Sequence, residues 1–575
     1  EDGIRDKLVT GVQTCALPIC FMVTYRIRKM IAWGMAVTMT AGMTNVLTGC
    51  GAEREGQAVE TSQVEDTSQG DEDTPAWKKY AGEPVTLDWY VNYSWFAIPW
   101  GENAVSQKIT EETGVNINFI TPIGNETEKL NALIASDSLP DLITLGYWEP
   151  QVNQMIEENM VYALNELADD YDAYFWQVTD ADVVNWYTMD DGNIYGYPCS
   201  TVTPKQVKEH DDITSNQTFL VRKDIYEAIG SPDMTTPEGF KAAVEKAAEM
   251  FPEVDGERLI PVGSHVFDNQ GNVSFDKYLM NFLAVPWEKD GKYYDRYTDP
   301  EYVIWLKMFR ELGEEGLLAN DIFVDTRIQM EEKLAKGRYF CMLYQYSDTI
   351  SQQKALYEND PDSIYMAVEG PRNSNGDDPT LPTNNMNGWT LTLISKNCKY
   401  PERAIAFMDY MMSEHGQMLI YLGVEGVTYD IVDGKPVLKE DVSKILNSDR
   451  ETYDRLYGAD DAYWMLQNNV MQLQWEQKAG PATEQLLVWA CKYTVYNGQY
   501  DVSLSTSPEI AAMDEKCTKL WSETLPKLLL ASNEAQFDEI FEEFVGKRNA
   551  MGYQEVLKQK TVLMNAAKEK MGISE

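Results

Sequence analysis

The stretch from Val85 to Leu145 constrains this chain most, because its hydrophobic period switches repeatedly between that of a strand and that of a helix. Val85, Leu87 and Trp89 alternate with polar residues, and Val115, Ile117 and Phe119 do so again after Gly114. Between them residues 102–113 read as a helix. Thr127 to Ala135 reads as a second helix, with Leu130, Leu133 and Ile134 on one face, and Leu139-Pro140-Asp141 stops it before the apolar strand Leu142 to Leu145. Strand, helix, strand, helix, strand is the alternation of a parallel sheet. Right-handed crossovers then place the functional loops at the carboxyl ends of the strands. Those loops are rich in aromatics: Tyr90-Val91-Asn92-Tyr93-Ser94-Trp95-Phe96, running on to Pro99-Trp100, follows the first strand, and Gly146-Tyr147-Trp148-Glu149-Pro150 follows the third.

Farther along, Thr218 to Val221, Phe340 to Leu343 and Trp389 to Ile394 read as strands. Thr235-Thr236-Pro237-Glu238 predicts a helix start with Thr as cap, Pro in the first turn and Glu completing a capping box. Tyr400-Pro401-Glu402-Arg403 opens another helix, with Ala404, Phe407, Met408 and Met411 inward. Beyond about residue 440 the pattern is mostly helical.

The first fifty residues read as processing signal rather than fold. Residues 1–21 are set aside as foreign to the native protein, since Glu1 to Ile19 resembles a translated library adapter. Met22 reads as the start, with Arg26, Arg28 and Lys29 as a positive region before an apolar stretch from Met30 to Val46. That stretch falls short of the roughly 20 apolar residues that span a bilayer. Leu47-Thr48-Gly49-Cys50 closes it and resembles a bacterial lipobox, which makes residues 22–49 a lipoprotein signal peptide and Cys50 the lipidated first residue. Residues 50–80 read as an acidic flexible tether, because Gly51 to Pro75 contains no aromatic residue with which to build a core.

Charge narrows the partners. Lys and Arg number 48 against 92 Asp and Glu, a formal net charge of −44, and leaving out residues 1–49, with five basic and three acidic residues, makes it −46. A field of that sign repels nucleic acid and anionic lipid. Cys199, Cys341, Cys398, Cys491 and Cys517 show no metal-type spacing and read as scattered buried thiols. His210, His265 and His415 are isolated. There is no His-Glu-x-x-His, no Gly-x-Ser-x-Gly and no phosphate-binding Gly-x-x-x-x-Gly-Lys-Ser/Thr loop. No catalytic residue, cofactor or metal is expected.

Several segments in order resemble the extracellular solute-binding protein family 1 of carbohydrate ABC importers, in particular the lipoprotein branch associated with alginate and aldouronate oligosaccharides. They are the lipobox, Ser138-Leu139-Pro140-Asp141-Leu142-Ile143, Asp191-Gly192-Asn193-Ile194-Tyr195-Gly196-Tyr197-Pro198, Leu220-Val221-Arg222-Lys223-Asp224, the Thr-Thr-Pro-Glu helix start, the run from Ile394 to Ala404, and Gly423-Val424-Glu425-Gly426. The resemblance implies an α/β fold of two lobes, the type II periplasmic-binding-protein arrangement, with a hinge between the lobes and a helical carboxyl-terminal part. By it, lobe one holds 84–200 and 390–435, and lobe two holds 201–389 and 436–575. It also implies a monomer on the outer face of the cytoplasmic membrane that hands an oligosaccharide to permease subunits. Relatives of this branch often carry a calcium loop after the Thr-Thr-Pro helix; Phe251 to Arg258 offers too few alternating carboxylates for one.

A sugar ring presents an apolar C–H face and a rim of hydroxyls, so a site for it pairs aromatic platforms with fixed polar groups. The candidate ligand-binding residues are Tyr93, Trp95 and Trp100, Tyr147 and Trp148, Tyr344 and Tyr346 from the opposite lobe, and Trp389 near the hinge. Glu425, Arg222 and Asp348 complete the set as partners for hydroxyls, or for a uronate in the case of Arg222. Trp305, Trp464, Trp475, Trp489 and Trp521 lie in helical patterns and read as core. Two other classes fit the same residues: a surface glycosidase with a carboxylate pair, and a peptide-binding or adhesive lipoprotein.

Overall fold

The computed structural model describes residues 75–573 apart from 124–125, 269, 476–479 and 505. The signal segment, Cys50 and the tether up to residue 74 lie outside the described residues.

The expected alternation folds as one sheet. β1 (Val85–Val91), β2 (Val115–Ile120) and β3 (Leu142–Gly146) are parallel, joined through α1 (Ala104–Thr113) and α2 (Glu126–Ala135). Helix α1 starts where the Asn103 side chain accepts from Ser106 N and ends at Gly114, whose φ of 70° no β-carbon favours. Two further strands, β4 (Gly196–Pro198) and a late return described below, close the sheet on the other side of β3.

A second sheet is built from β5 (Gln217–Arg222), β6 (Ile260–Gly263), β7 (Tyr339–Gln345) and β8 (Tyr365–Ala367), in the order β8-β5-β7-β6. β7 runs antiparallel to β5, with Gln345 opposite Gln217, and parallel to β6. Helix α3 (Pro237–Met250) packs on it; its cap is Thr236, accepting from Gly239 N. The expected capping box is therefore absent, because Glu238 sits one position too early to reach back to the cap. At Phe251 to Arg258 the chain forms a tight hairpin, Glu253–Val254 against Glu257–Arg258, turning on Asp255 (φ 51°) and Gly256 (φ 80°).

The chain then returns. β9 (Leu381–Pro382) leads to β10 (Thr390–Ile394), which lies antiparallel between β3 and β4, with Thr390 opposite Gly146. Helix α4 (Pro401–Met412) follows through the first lobe's core, with every residue from Arg403 to Met412 buried. β11 (Thr494–Val495), reached after the helix Glu484–Cys491 that packs in the second lobe's core, pairs in parallel with β9. Among the described residues the chain passes between the lobes ahead of β5 and ahead of β10, and β9 with β11 forms a ribbon at their junction.

Two boundaries differ from the sequence reading. Residues 436–575 were expected in the second lobe, yet Val442, Tyr453, Tyr463, Trp464 and Leu466 pack into the core around β1, β2 and α4. The second lobe is extended by the helix Glu484–Cys491 and by α5 (Pro508–Leu529), α6 (Glu534–Ala550) and α7 (Tyr553–Lys570), with Leu486, Trp489, Trp521, Leu525, Phe537 and Phe544 joining its core. The tether was expected to reach residue 80, but Ala76–Tyr80 forms a helical turn on lobe one. Ala76 N donates to Asp172 Oδ2 at 2.9 Å and Trp77 meets Tyr410 edge-on at 4.9 Å. A Trp at the end of a polar segment is enough to dock it. Cys199, Cys341, Cys398 and Cys517 are buried free thiols.

Candidate functional site

The chain passes from β4, through residues 199–216 with the short helix Pro204–Glu209, into the amino end of β5, and from β9 into the amino end of β10. The carboxyl ends of β1 and β3 and the start of β10 therefore face the hinge from one lobe. The start of β5 and the ends of β6 and β7 face it from the other. The space between these two sets of strand ends is the cleft.

On the first lobe an aromatic platform stands at these ends. Tyr93 lies 5.3 Å from Trp95 and 5.5 Å from Trp389, and Trp95 and Trp389 are parallel to within 5° at 6.2 Å. Trp464 backs all three, at 5.7 Å from Tyr93, 5.7 Å from Trp95 and 4.4 Å from Trp389. Tyr93, Trp95 and Trp389 are half-buried, whereas Trp464 is 4 % exposed and serves as their support. Beside the platform, Glu149 accepts from Asn92 Nδ2 at 2.7 Å and from Gly146 N at 2.8 Å. Trp148 is 49 % exposed and folds over Gly146, where an added β-carbon would come within 2.7 Å of its ring.

Tyr147 is turned toward the hinge. Its hydroxyl donates to Asp501 Oδ2 at 3.0 Å, and burial together with that carboxylate raises its pKa well above the ordinary phenol value. Asp501 also accepts from Asn385 Nδ2 at 2.8 Å and Asn387 Nδ2 at 3.2 Å, while Asn387 takes Trp186 Nε1 on its side chain and Tyr187 OH on its carbonyl. The neighbouring Tyr500 belongs to the second lobe, stacked on Trp287 at 5.7 Å with its hydroxyl donating to Glu288. Adjacent residues just after β11 therefore hold one lobe each.

The facing wall of the second lobe is polar. Asp348 accepts from Gln345 Nε2 at 2.6 Å, from Ser347 Oγ at 3.0 Å and from Arg327 Nη2. Arg327 also pairs with Glu331, lies 5.5 Å over the Tyr344 ring, and brings Nη1 within 3.0 Å of His265 Nε2. A guanidinium only donates, so His265 Nε2 accepts and the ring is neutral. Burial, and then the charge of Arg327, lowers the His265 pKa accordingly.

Of the predicted residues, the structure gathers Tyr93, Trp95 and Trp389 on one platform, with Trp148 on the adjacent loop and Asp348 on the opposite wall. Tyr344 and Tyr346 are 0 % and 2 % exposed and form the backing of that wall rather than its surface. Trp100 is spent in the core: its indole donates to Thr110 Oγ1 and its ring packs on Phe119, Phe407 and Tyr463. Arg222 lies at the opposite end of β5 from the cleft, 6 % exposed, its guanidinium tied to Asp224 at 2.9 Å and to Gly337 O. It is a structural ion pair and cannot reach a ligand held at the hinge. Glu425 is exposed at the turn leading into the Tyr429–Leu438 hairpin, bridged to Tyr429, and is not part of the gathered set. Sequence reasoning passed over Asn92, Glu149, Gln345, Arg327 and the Asn385–Asn387–Asp501 cluster as site residues, while its reading of Trp464 as core holds. Asn92 and Glu149 sat within the aromatic loops and were legible there; the others depend on contacts between segments far apart in the chain.

The family model described as bacterial extracellular solute-binding protein matches residues 99–418. The polygalacturonan/rhamnogalacturonan-binding protein YtcQ of Bacillus subtilis (strain 168) is 20 % identical over 490 residues, covering 82 % of this chain and 92 % of that one. Lipoprotein LipO of the same organism is 21 % identical over 334 residues, 54 % of this chain and 61 % of that protein, so that match spans under two thirds of the relative. Among solved structures, the S. pneumoniae ABC-transporter substrate binding protein FusA in complex with kestose superposes with a TM-score of 0.66 at 16 % identity, over 84 % of this chain and 100 % of that one. The alginate-binding protein AlgQ2 without calcium ion gives 0.61 at 18 % identity, over 84 % and 98 %. These likenesses establish the two-lobed type II fold. With the family model covering more than half of its length, the chain belongs to the bacterial extracellular solute-binding protein family.

Proposed function

We propose that this protein captures an oligosaccharide between its lobes by hinge closure and presents it to the permease of an ABC importer. The observation that carries this reading is the platform of Tyr93, Trp95 and Trp389 opposite the strip of Gln345 and Asp348. Rings supply contact with the C–H face of a sugar, and hydrogen-bonded carboxylates and amides in fixed positions take its hydroxyls. Contacts with both lobes give the closed form a differential affinity that shifts the equilibrium toward it. The relatives named for kestose, alginate and polygalacturonan support the ligand class. The chain is a binding protein and not an enzyme, as its family is.

Cys50 is the proposed lipidation site, which would hold the protein on the outer face of the membrane, and the lipoprotein name of LipO accords with it. Lobe one comprises roughly 76–200 and 390–475, and lobe two roughly 201–389 and 480–573, in a monomer. The test is a titration of the chain from Gly51 onward with a glycan panel, followed by tryptophan fluorescence and thermal melting. Binding of a glycan with stabilisation and without product is expected. Response only to peptides, or release of reducing ends at catalytic amounts of protein, would sink the reading.

A further inference from the structure

The charges on the two walls set what kind of sugar the cleft can hold. Fixed carboxylates line it on both sides: Glu149 beside the platform, Asp501 at the hinge and Asp348 on the facing strip. The guanidinium of that strip, Arg327, is already shared between two carboxylates, Asp348 and Glu331, and its remaining reach is spent on His265, which is neutral. Arg222, the cation that a uronate would have needed, is locked to Asp224 at the far end of β5. Arg296, the other guanidinium near the hinge end of the second lobe, donates Nη2 to Asn281 and lies 4.6 Å over Trp287. Arg327 and Arg222 are thus both committed to carboxylates of the protein itself.

On the reading that the ligand is a saccharide, we infer that it is an uncharged oligosaccharide, selected against uronates by the excess of fixed carboxylate in the cleft. A uronate entering on closure would lose its hydration next to Glu149 and Asp348, with Arg327 and Arg222 already paired to the protein's own carboxylates. A neutral sugar meets the same carboxylates as ideal acceptors, since each ionised oxygen takes hydroxyl donors. The molecule's overall charge of −44 acts in the same direction at long range. The specificity thus differs from that suggested by the relatives named for alginate and polygalacturonan, both of which are polyuronates.

The test compares matched ligands. Oligogalacturonides and their fully methyl-esterified forms share ring and linkage and differ in charge, and neutral gluco-, manno-, xylo- and fructo-oligosaccharides complete the series. Calorimetry on the chain from Gly51 onward is expected to show a neutral or esterified ligand bound at least ten-fold more tightly than any free-acid ligand. Raising the ionic strength should narrow that gap by screening the repulsion. Asp348→Asn should narrow it too, while leaving the melting temperature within a few degrees. A neutral chain bound while both galacturonides fail supports the inference equally. A free-acid ligand bound as tightly as the best neutral one overturns it and leaves the carbohydrate reading standing. Failure of every glycan overturns both.

Discussion

Trp389 and Arg222 show how differently two candidate residues fare once neighbours are known. Trp389 is half-buried on the platform, so Trp389→Ala removes stacking surface rather than core. Its expected effect is a loss of ligand affinity of about ten-fold, corresponding to about 1.4 kcal/mol, with little change in stability. Arg222→Ala should do the reverse, costing about 1–3 kcal/mol in urea unfolding through the lost ion pair and carbonyl contact, with ligand affinity unchanged. Sequence could nominate both, because residue type and position beside a strand were visible; which end of β5 faces the hinge was not, since that depends on how the strand pairs. Trp464 reads correctly as core, but its place beneath the platform was hidden for a related reason. It lies in a short turn after a helical run, and only the fold lays it under Trp95 and Trp389. Asp461 offers a pH test at the same scale. Burial and the neighbouring Asp460 push its carboxyl up from 3.8 to about 8, so the native state holds a proton that the unfolded chain releases. Stability from this group is fully present below pH 4 and is lost as pH rises toward 8. Asp461→Asn should therefore raise the unfolding free energy at pH 8 by on the order of 2 kcal/mol, with the gain vanishing near pH 4 in thermal melts across pH.

At the level of elements, the first sheet was almost fully legible, since β1, β2, β3 and β10 each carry an unbroken strand pattern and Gly114 marks the turn between α1 and β2. That glycine is required twice over: its φ is 70°, and an added β-carbon would stand 2.9 Å from Glu83 O. Gly114→Ala should cost about 1–2 kcal/mol, seen as a lowered melting temperature of the first lobe, with the platform's ligand affinity preserved. The assignment of 436–475 was less legible. Its helices are short and amphipathic on one side, and amphipathicity says that a helix has a partner without saying which lobe provides it. The hinge ribbon was invisible for a different reason: β9 and β11 are two residues each, below any periodicity that a sequence can display.

For the molecule as a whole, the Tyr147–Asp501 bond couples the ligand-facing loop of lobe one to the segment that carries Tyr500 of lobe two. Tyr147→Phe removes that bond and should broaden the distribution of interlobe distances measured by energy transfer between labels on the two lobes. Ligand affinity should fall a few-fold, since more conformational freedom must be surrendered on closure. Wild-type distances in the unliganded protein no narrower than those of the variant would show that the bond has no such role. A second tie reinforces it at the end of the chain. α7 packs in the second lobe, yet Lys570 Nζ reaches across to the carbonyls of Trp186 and Thr188 on the first, at 3.0 Å each. The last helix is thus a strut between moving parts, and cargo hung on its end would feel the stroke. A fluorescent reporter fused there, with its mate inserted at an exposed lobe-one turn, turns this protein into a ligand gauge, while a bulky affinity tag at the same place risks jamming it.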